Sequence, residues 1–267
     1  MAVDETRRRW DAAAGGWEAH GDHLAEFVAP VTEALVRALT PGPDDVVLEL
    51  AAGTGELAER LAPRVKHMIC TDLSPAMVDA ARRRGVAGAE HRVLDMQAIE
   101  LPDGSVDAVV CRFGYMLVPD PPRAMRETRR VLRPGGRLAF ATWAGAKRNP
   151  WSTMFGPVLV DRGLMEPPRP GEPGQFALGE PSLVEDLARV GFADVEVEEV
   201  PVESRFAGWD DYRSVITGMA TSVREVLEGL DEETRAEVDE AARLRFEPFR
   251  RNGEYVLPGV ALVARAS

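Results

Sequence analysis

The chain has 267 residues, and its 44 Asp and Glu against 32 Lys and Arg leave a formal charge of −12, with 45% hydrophobic and 28% charged residues. This is globular composition, with material for a sizeable core and no need of disulfide staples, and its acidic balance argues against general nucleic-acid binding. No run approaches the roughly 18 apolar residues of a membrane span, and the opening MAVDETRRRWDAAAGG lacks the apolar core of a secretory signal, so a cytoplasmic protein is expected.

Residues 1–40 read as two helices with Trp10, Trp17, Leu24 and Phe27 as candidate buried positions, ending at the breaker Pro41-Gly42-Pro43. From 46 to 142, the β-rich runs VVLEL (46–50), HMIC (67–70), HRVL (91–94), VDAVVC (106–111) and RLAFAT (137–142) alternate with helical patterns at 55–63, 75–84 and 122–132. Alternation at this spacing predicts a parallel sheet covered on both faces. Ser74-Pro75 reads as an N-cap followed by proline in the first helical turn, and RPGG (133–136) as the turn that launches a strand. The Pro/Gly-rich stretch at 165–181 reads as a long loop. A helix near 181–190, a strand at 195–202, helical patterns at 209–225 and 231–250, and a last strand at 255–264 follow. The expected division is an N-terminal helical lid (1–40), a core (41–145), a loop or cap insertion (146–180), a core helix and strand (181–204), a helical cap (205–252) and a final core strand (253–267).

Cys70 and Cys111 lie in apolar runs and read as buried small hydrophobes rather than a bridge. His20, His23, His67 and His91 show no ligand spacing, so no metal is expected.

The segment VVLELAAGTG (46–55) places the carboxylate of Glu49 at the end of a first strand, followed by a glycine-rich turn before a helix. Glycines there let the backbone approach a ligand, at the carboxyl edge where open α/β sheets bind nucleotides. GTGELA (53–58) also fits the dinucleotide fingerprint, so an NAD(P)-dependent oxidoreductase is an alternative. Glu49 and Glu56 would repel a pyrophosphate, however, and no Lys-Ser/Thr follows the glycines as a P-loop requires. Glu49 suits a cationic group, and Asp72, 17 residues beyond Gly55, is placed to accept from ribose hydroxyls. Together these describe a nucleoside with a positively charged tail.

Four pieces in order, LELAAGTG (48–55), CTDLSPAMVDAAR (70–82), VLDMQAIELPDGSVDAVVCRFGYML (93–117) and RETRRVLRPGGRLAFATW (126–143), resemble the class I S-adenosylmethionine-dependent methyltransferases, particularly the small-molecule branch that includes quinone-biosynthesis enzymes. The resemblance covers residues 10–143, and the rest by architecture only. It implies an α/β fold: a doubly wound, Rossmann-like seven-stranded sheet in the order 3-2-1-4-5-7-6, its last strand antiparallel, under a helical cap. It further implies that Glu49 and the Ala51–Gly55 backbone, with Ala51, Gly53 and Gly55, hold the methionine end of S-adenosyl-L-methionine. Asp72 would hold the ribose hydroxyls, Leu73 and Met77 would lie beside the adenine, Asp95 and Met96 at its edge, and Arg112 near the methionine end. Trp10-Asp11-x-x-Ala14-x-x-Trp17 is similar to a family motif that more often has Phe first and Tyr last, which would put Trp17 over the cofactor. In that strand order Cys70 and Cys111 flank the first strand, roughly 10 Å apart and beyond disulfide reach.

Methyl transfer from a sulfonium is an in-line displacement that demands alignment and exclusion of water. For an acceptor that must lose a proton, His20 and His23, three residues apart on one helical face and turned to the substrate cavity, are candidate general bases, and Tyr115 is a candidate orienting residue. CRFGY (111–115) stands where amino methyltransferases of the family carry an Asn-Pro-Pro-Tyr-type tetrapeptide. Trp151, Phe155, Phe176, Phe206, Trp209, Met219 and Phe246 give the expected cap an apolar supply. The expected function is methyl transfer to a hydrophobic or aromatic small molecule, secondary metabolite or quinone-like, by a monomer or homodimer without a nucleic-acid partner. A cofactor-binding family member with a non-methylating or regulatory role is the other alternative.

Overall fold

The computed structural model describes residues 3–169 and 171–267; Met1 and Ala2 of the expected lid, and Pro170 of the expected loop, lie outside the described residues. The N-terminal region forms α1 (Val3–Ala19), α2 (Gly21–Phe27) and α3 (Ala29–Leu39), three helices where two were expected. The chain breaks at His20 and again at Val28, and neither side chain caps the helix that follows. α3 presents Val31, Leu35 and Leu39 to the core and closes on Thr40, whose φ of 47° is left-handed, just before the Pro-Gly-Pro breaker.

The strands are β1 (Val46–Leu50), β2 (His67–Asp72), β3 (Ala89–Val93), β4 (Val106–Arg112), β5 (Leu132–Trp143), β6 (Val195–Phe206), the two-residue β7 (Arg250–Arg251) and β8 (Glu254–Ala266). Their order is β3-β2-β1-β4-β5-β8-β6, with β7 paired to β8 alone. β1 to β5 run parallel and β8 is antiparallel to both neighbours. Apart from β7 this is the expected order, with the last long strand between the fifth and sixth. β1, β2 and β4 are near-continuous apolar runs because both their faces are covered. β6, at the sheet's edge, exposes Glu198 and Glu199, charges that discourage pairing with another chain.

The remaining helices are α4 (Glu56–Leu61), α5 (Pro75–Arg84), α6 (Pro121–Val131), α7 (Phe155–Asp161), α8 (Pro181–Ala188), α9 (Trp209–Met219), α10 (Thr221–Glu228) and α11 (Glu232–Phe246). α5 starts as expected, the Ser74 hydroxyl accepting from Met77 N at 3.1 Å. The expected helix at 209–225 is divided at Ala220 into α9 and α10. RPGG does not precede β5 but loops out within it: the register jumps from Val106↔Leu132 to Ala108↔Arg137, with Gly135 at φ 75°.

Strand alternation sends side chains to two apolar layers. Val47, Val110 and Ala139 meet α2, α3 and α4 on one face, through Phe27, Leu35 and Leu61. Leu50, Val109 and Phe140 meet α6 and α8 on the other, through Met125 and Val184. Cys70 and Cys111 are buried and free, opposite Glu49 and Leu50 on the two sides of β1. β5 ends level with Ala261, whereas the antiparallel β6–β8 pair continues to Phe206↔Tyr255. That overhang carries α9, α10 and α11 above the carboxyl edge of the sheet. Among the described residues, no helix is long and apolar enough to cross a membrane, and no group of three or more His, Cys, Asp or Glu could hold a metal ion.

Candidate active site

The strand order reverses between β1 and β4, which opens a crevice at their carboxyl ends. Glu49 shares the face of Val47 and is only 2% exposed. Its Oε2 has no hydrogen-bond partner. Burial pushes the carboxyl up to about 8, against the opposing pull of the Arg112 charge and a hydrogen bond from the Cys70 thiol. A buried carboxyl with an orphan oxygen is costly unless a cationic donor reaches it.

The following loop turns through left-handed backbone at Ala51 (φ 54°), Gly53 (φ 56°) and Gly55 (φ 87°). For Ala51 that conformation is strained. A Cβ on Gly53 would meet nothing within 4 Å, whereas one on Gly55 would lie 3.0 Å from the Ala81 Cβ of α5. The loop is thus pressed against a helix on one side and open on the other. Asp72, at the end of β2, accepts from Gly53 N and Ser74 N, both at 2.9 Å. Burial raises its carboxyl, and backbone amides, Ser74 first, pull it back. One amide on each oxygen leaves both with acceptor capacity.

Helix α1 lies across this crevice. Asp11 accepts from the Ser74 hydroxyl and from Ala76 N at 3.2 Å, and Arg7 Nε donates to the Leu73 carbonyl at 3.3 Å. At the helix's other end Trp17 Nε1 donates to Met219 O at 3.3 Å, and a Cβ on Gly16 would fall 1.9 Å from Gly218 O. α1 therefore bridges α5 and the cap helix α9. Trp10 and Trp17 meet edge to face at 5.8 Å and, with Ala13 and Ala14, cover the buried Met77. Asp11 is the contact that sequence reasoning missed. It sat inside the Trp10…Trp17 motif, and the signal was the amide-rich N-terminus of α5 announced by Ser74-Pro75.

Arg112 ends β4 pointing toward α3 and α4, donating to Thr32 Oγ1 at 2.9 Å and Glu56 Oε2 at 3.0 Å. Glu56 also binds Arg84 at 3.2 Å and the Thr54 hydroxyl, so the loop's last turn hangs on a buried ion network. Asp95 accepts from Gln97 N at 2.8 Å and closes the turn after β3. The Met96 side chain packs into the α6/α8 layer, which leaves its backbone as the part available at the edge.

Two expectations are corrected. Tyr115 does not reach the crevice: it is fully buried, its hydroxyl is 2.5 Å from Thr128 Oγ1, and its ring lies edge-on to Phe140. The left-handed turn at Phe113 (φ 66°) carries the chain over to the opposite face of the sheet. His20 and His23 do not share one helical face, because His20 occupies the break between α1 and α2. Its ring abuts Gly218, where a Cβ would come within 2.7 Å of it. His23 instead pairs with Ser204 Oγ at 3.1 Å, lies 4.8 Å from the Phe206 ring, and lines a cavity of about 450 Å³ with Phe27, Pro30, Pro201 and Val202. Burial lowers the His23 pKa. Phe155, Phe206 and Phe246 form the core of the cap with Tyr212 and Tyr255, in stacked, tilted and edge-on contacts.

A doubly wound sheet with an acidic strand end, a glycine turn and a ribose-type aspartate defines a nucleoside-binding enzyme fold, and comparison with known proteins narrows it. The family model described as "Methyltransferase domain" matches residues 48–140. A demethylmenaquinone methyltransferase of Clavibacter sepedonicus is 35% identical over 113 residues, 42% of this chain and 46% of that protein. A ubiquinone/menaquinone biosynthesis C-methyltransferase of Acidiphilium cryptum is 33% identical over 172 residues, 59% of this chain and 69% of that protein. The structure of Haemonchus contortus phosphoethanolamine N-methyltransferase 2, in complex with phosphomonomethylethanolamine and S-adenosylhomocysteine, superposes with a TM-score of 0.61 at 16% identity, covering 100% of this chain and 61% of that one, and shows the shared fold. The chain spans somewhat less than half the length of several curated relatives, 46% of the Clavibacter enzyme among them. It belongs to the class I S-adenosylmethionine-dependent methyltransferases, and S-adenosyl-L-methionine is its cofactor. The residues present fit that molecule: the orphan oxygen of Glu49 suits an ammonium group, the open face of Gly53 a close-lying chain, and the spare acceptors of Asp72 a pair of hydroxyls.

Proposed function

We propose that the protein transfers a methyl group from S-adenosyl-L-methionine to a hydrophobic or aromatic small molecule, quinone-like or a secondary metabolite. The observation that carries the cofactor side is the unpartnered Glu49 Oε2 at the end of β1. When bound, the cofactor supplies an electrophilic methyl group on a sulfonium. Glu49 accepts from its ammonium group, and the Ala51–Gly55 backbone lies along its methionine chain. Asp72 accepts from the ribose hydroxyls while Gly53 N and Ser74 N keep the carboxylate in place. Leu73 and Met77 border the adenine, with Asp95 and the Met96 backbone at its edge. Arg112 steadies the methionine end through Glu56. Trp17 and α1 close the crevice and exclude water.

The small-molecule class is supported by the quinone-biosynthesis enzymes among the relatives. For an acceptor that must lose a proton, His23 is the candidate base of the two histidines, its Nε2 3.1 Å from Ser204 Oγ and its ring lining a cavity of about 450 Å³. Incubating the protein with methyl-labelled cofactor and a pool of hydroquinones, phenols and amines should give S-adenosylhomocysteine and a labelled organic product. Tight cofactor binding without either would instead support a non-methylating role. An unchanged pH profile in His23→Ala would remove His23 from the chemistry.

A further inference from the structure

Immediately after Arg112, the chain reaches Phe113, one of four non-glycine residues with positive φ among the described residues, at 66°. The left-handed region disfavours a bulky side chain, and glycine would fill the position without strain. What holds Phe113 there is visible. Its amide donates to Ala141 O at 2.9 Å, and Gly114 is wedged so tightly that a Cβ would lie 2.6 Å from Cys111 Sγ and 2.7 Å from Ala51 Cβ. The strained turn thus interlocks with Ala51, itself left-handed at the end of β1.

The result is a ring laid flat on Trp143 at the end of β5, with centroids 4.2 Å apart and planes within 8°. Phe27 stacks on the same indole at 5.5 Å, and Trp151 meets it edge-on at 4.9 Å. Trp143 is buried by this packing, but Phe113 is only partly buried, the last ring of the stack and the one in sequence with Arg112. Strain retained at a partly buried ring beside the crevice points to function. A near-parallel aromatic pair presents a flat, apolar surface suited to a third offset-stacked ring and poorly suited to a puckered aliphatic one.

We propose that Phe113, backed by Trp143, is the shelf on which the acceptor's planar ring stacks, so that the substrate is aromatic rather than aliphatic and Phe113 selects it. This rests on the methyltransferase reading above and narrows its substrate class.

The test compares two ten-carbon alcohols, planar 2-naphthol and its saturated counterpart trans-2-decalol, by calorimetry on the full chain saturated with S-adenosylhomocysteine. The wild type should bind 2-naphthol at least about tenfold more tightly. Phe113→Leu should bring the ratio close to one while S-adenosylhomocysteine affinity stays within about twofold. Phe113→Gly, which suits the left-handed backbone, provides a second folded variant and should lose the preference equally. Equal binding of the two alcohols by the wild type, or a preference that survives both substitutions, overturns the shelf and leaves the methyltransferase reading standing. Failure of the wild type to bind S-adenosylhomocysteine at all overturns both.

Discussion

Glu49→Gln is expected to stabilise the empty protein and weaken its cofactor complex. Because burial raises the Glu49 carboxyl to about 8, the side chain is mostly protonated at pH 6 in the absence of a cation. Holding an ammonium group as an ion pair requires that proton to leave, and each pH unit below the pKa costs about 1.4 kcal/mol. From pH 8, where the carboxyl is half ionised, down to pH 6 the affinity for S-adenosylhomocysteine should therefore fall by roughly 50-fold, with close to one proton released per molecule bound at pH 6. Isothermal titration in two buffers of different ionisation heat measures both quantities. In Glu49→Gln the slope and the proton release should vanish, and affinity at pH 8 should drop by about 2–3 kcal/mol with loss of the charged acceptor. The stability effect has the opposite sign. A folded-state pKa above the unfolded value gives a contribution that is fully present below the ordinary carboxylate range and is lost as pH rises through about 8. Above that pH the empty Gln variant should outlast the wild type in urea, by at most about 5 kcal/mol. A pH-independent wild-type affinity, or a Gln variant that binds equally well, would refute the assignment of Glu49 to the cation.

Asp72→Ala removes a charged acceptor for two hydroxyls and should weaken the cofactor by about 2–4 kcal/mol in the same calorimeter; an unchanged affinity would make Asp72 a purely structural partner of Gly53 N and Ser74 N. Arg112→Met strands the buried Glu56 carboxylate with Arg84 alone and should lower unfolding stability by about 3 kcal/mol, measured in urea, whereas a loss below about 1 kcal/mol would show the pair to be solvated. Gly16→Ala has no room for its methyl against Gly218 O and should lift α1 from α9, accelerating S-adenosylhomocysteine release and raising amide exchange across Val3–Ala19. Unaltered exchange in that variant would contradict the lid.

What the sequence showed and what it hid divide along the range of the interactions. The placing of Glu49, the glycine turn and Asp72 at strand ends on the carboxyl edge was legible because each is written next to the apolar run that precedes it. The strand order came from the family resemblance that the motif series carries, and the structure has it. Tyr115 was misplaced because its facing depends on the single left-handed residue Phe113, and sequence gives little warning of positive φ at a phenylalanine. His20 and His23 were separated by a helix break that lacks a capping side chain, and what fixes each ring is distant, Gly218 for one and Ser204 for the other. Asp11 gained its role only when the fold brought Ser74 to it across 63 positions. The cap aromatics pack inward because the β6–β8 overhang and α11 form a core of their own.

The most direct measurement is a crystal structure of the chain grown with S-adenosylhomocysteine. In it the ammonium group should sit at Glu49, the ribose hydroxyls on Asp72 and the adenine between Met77 and Asp95, with α1 closed over the ligand and Trp17 still bonded to Met219. Density for the ligand elsewhere, or an ammonium group that leaves Glu49 Oε2 unpartnered, would contradict this placement.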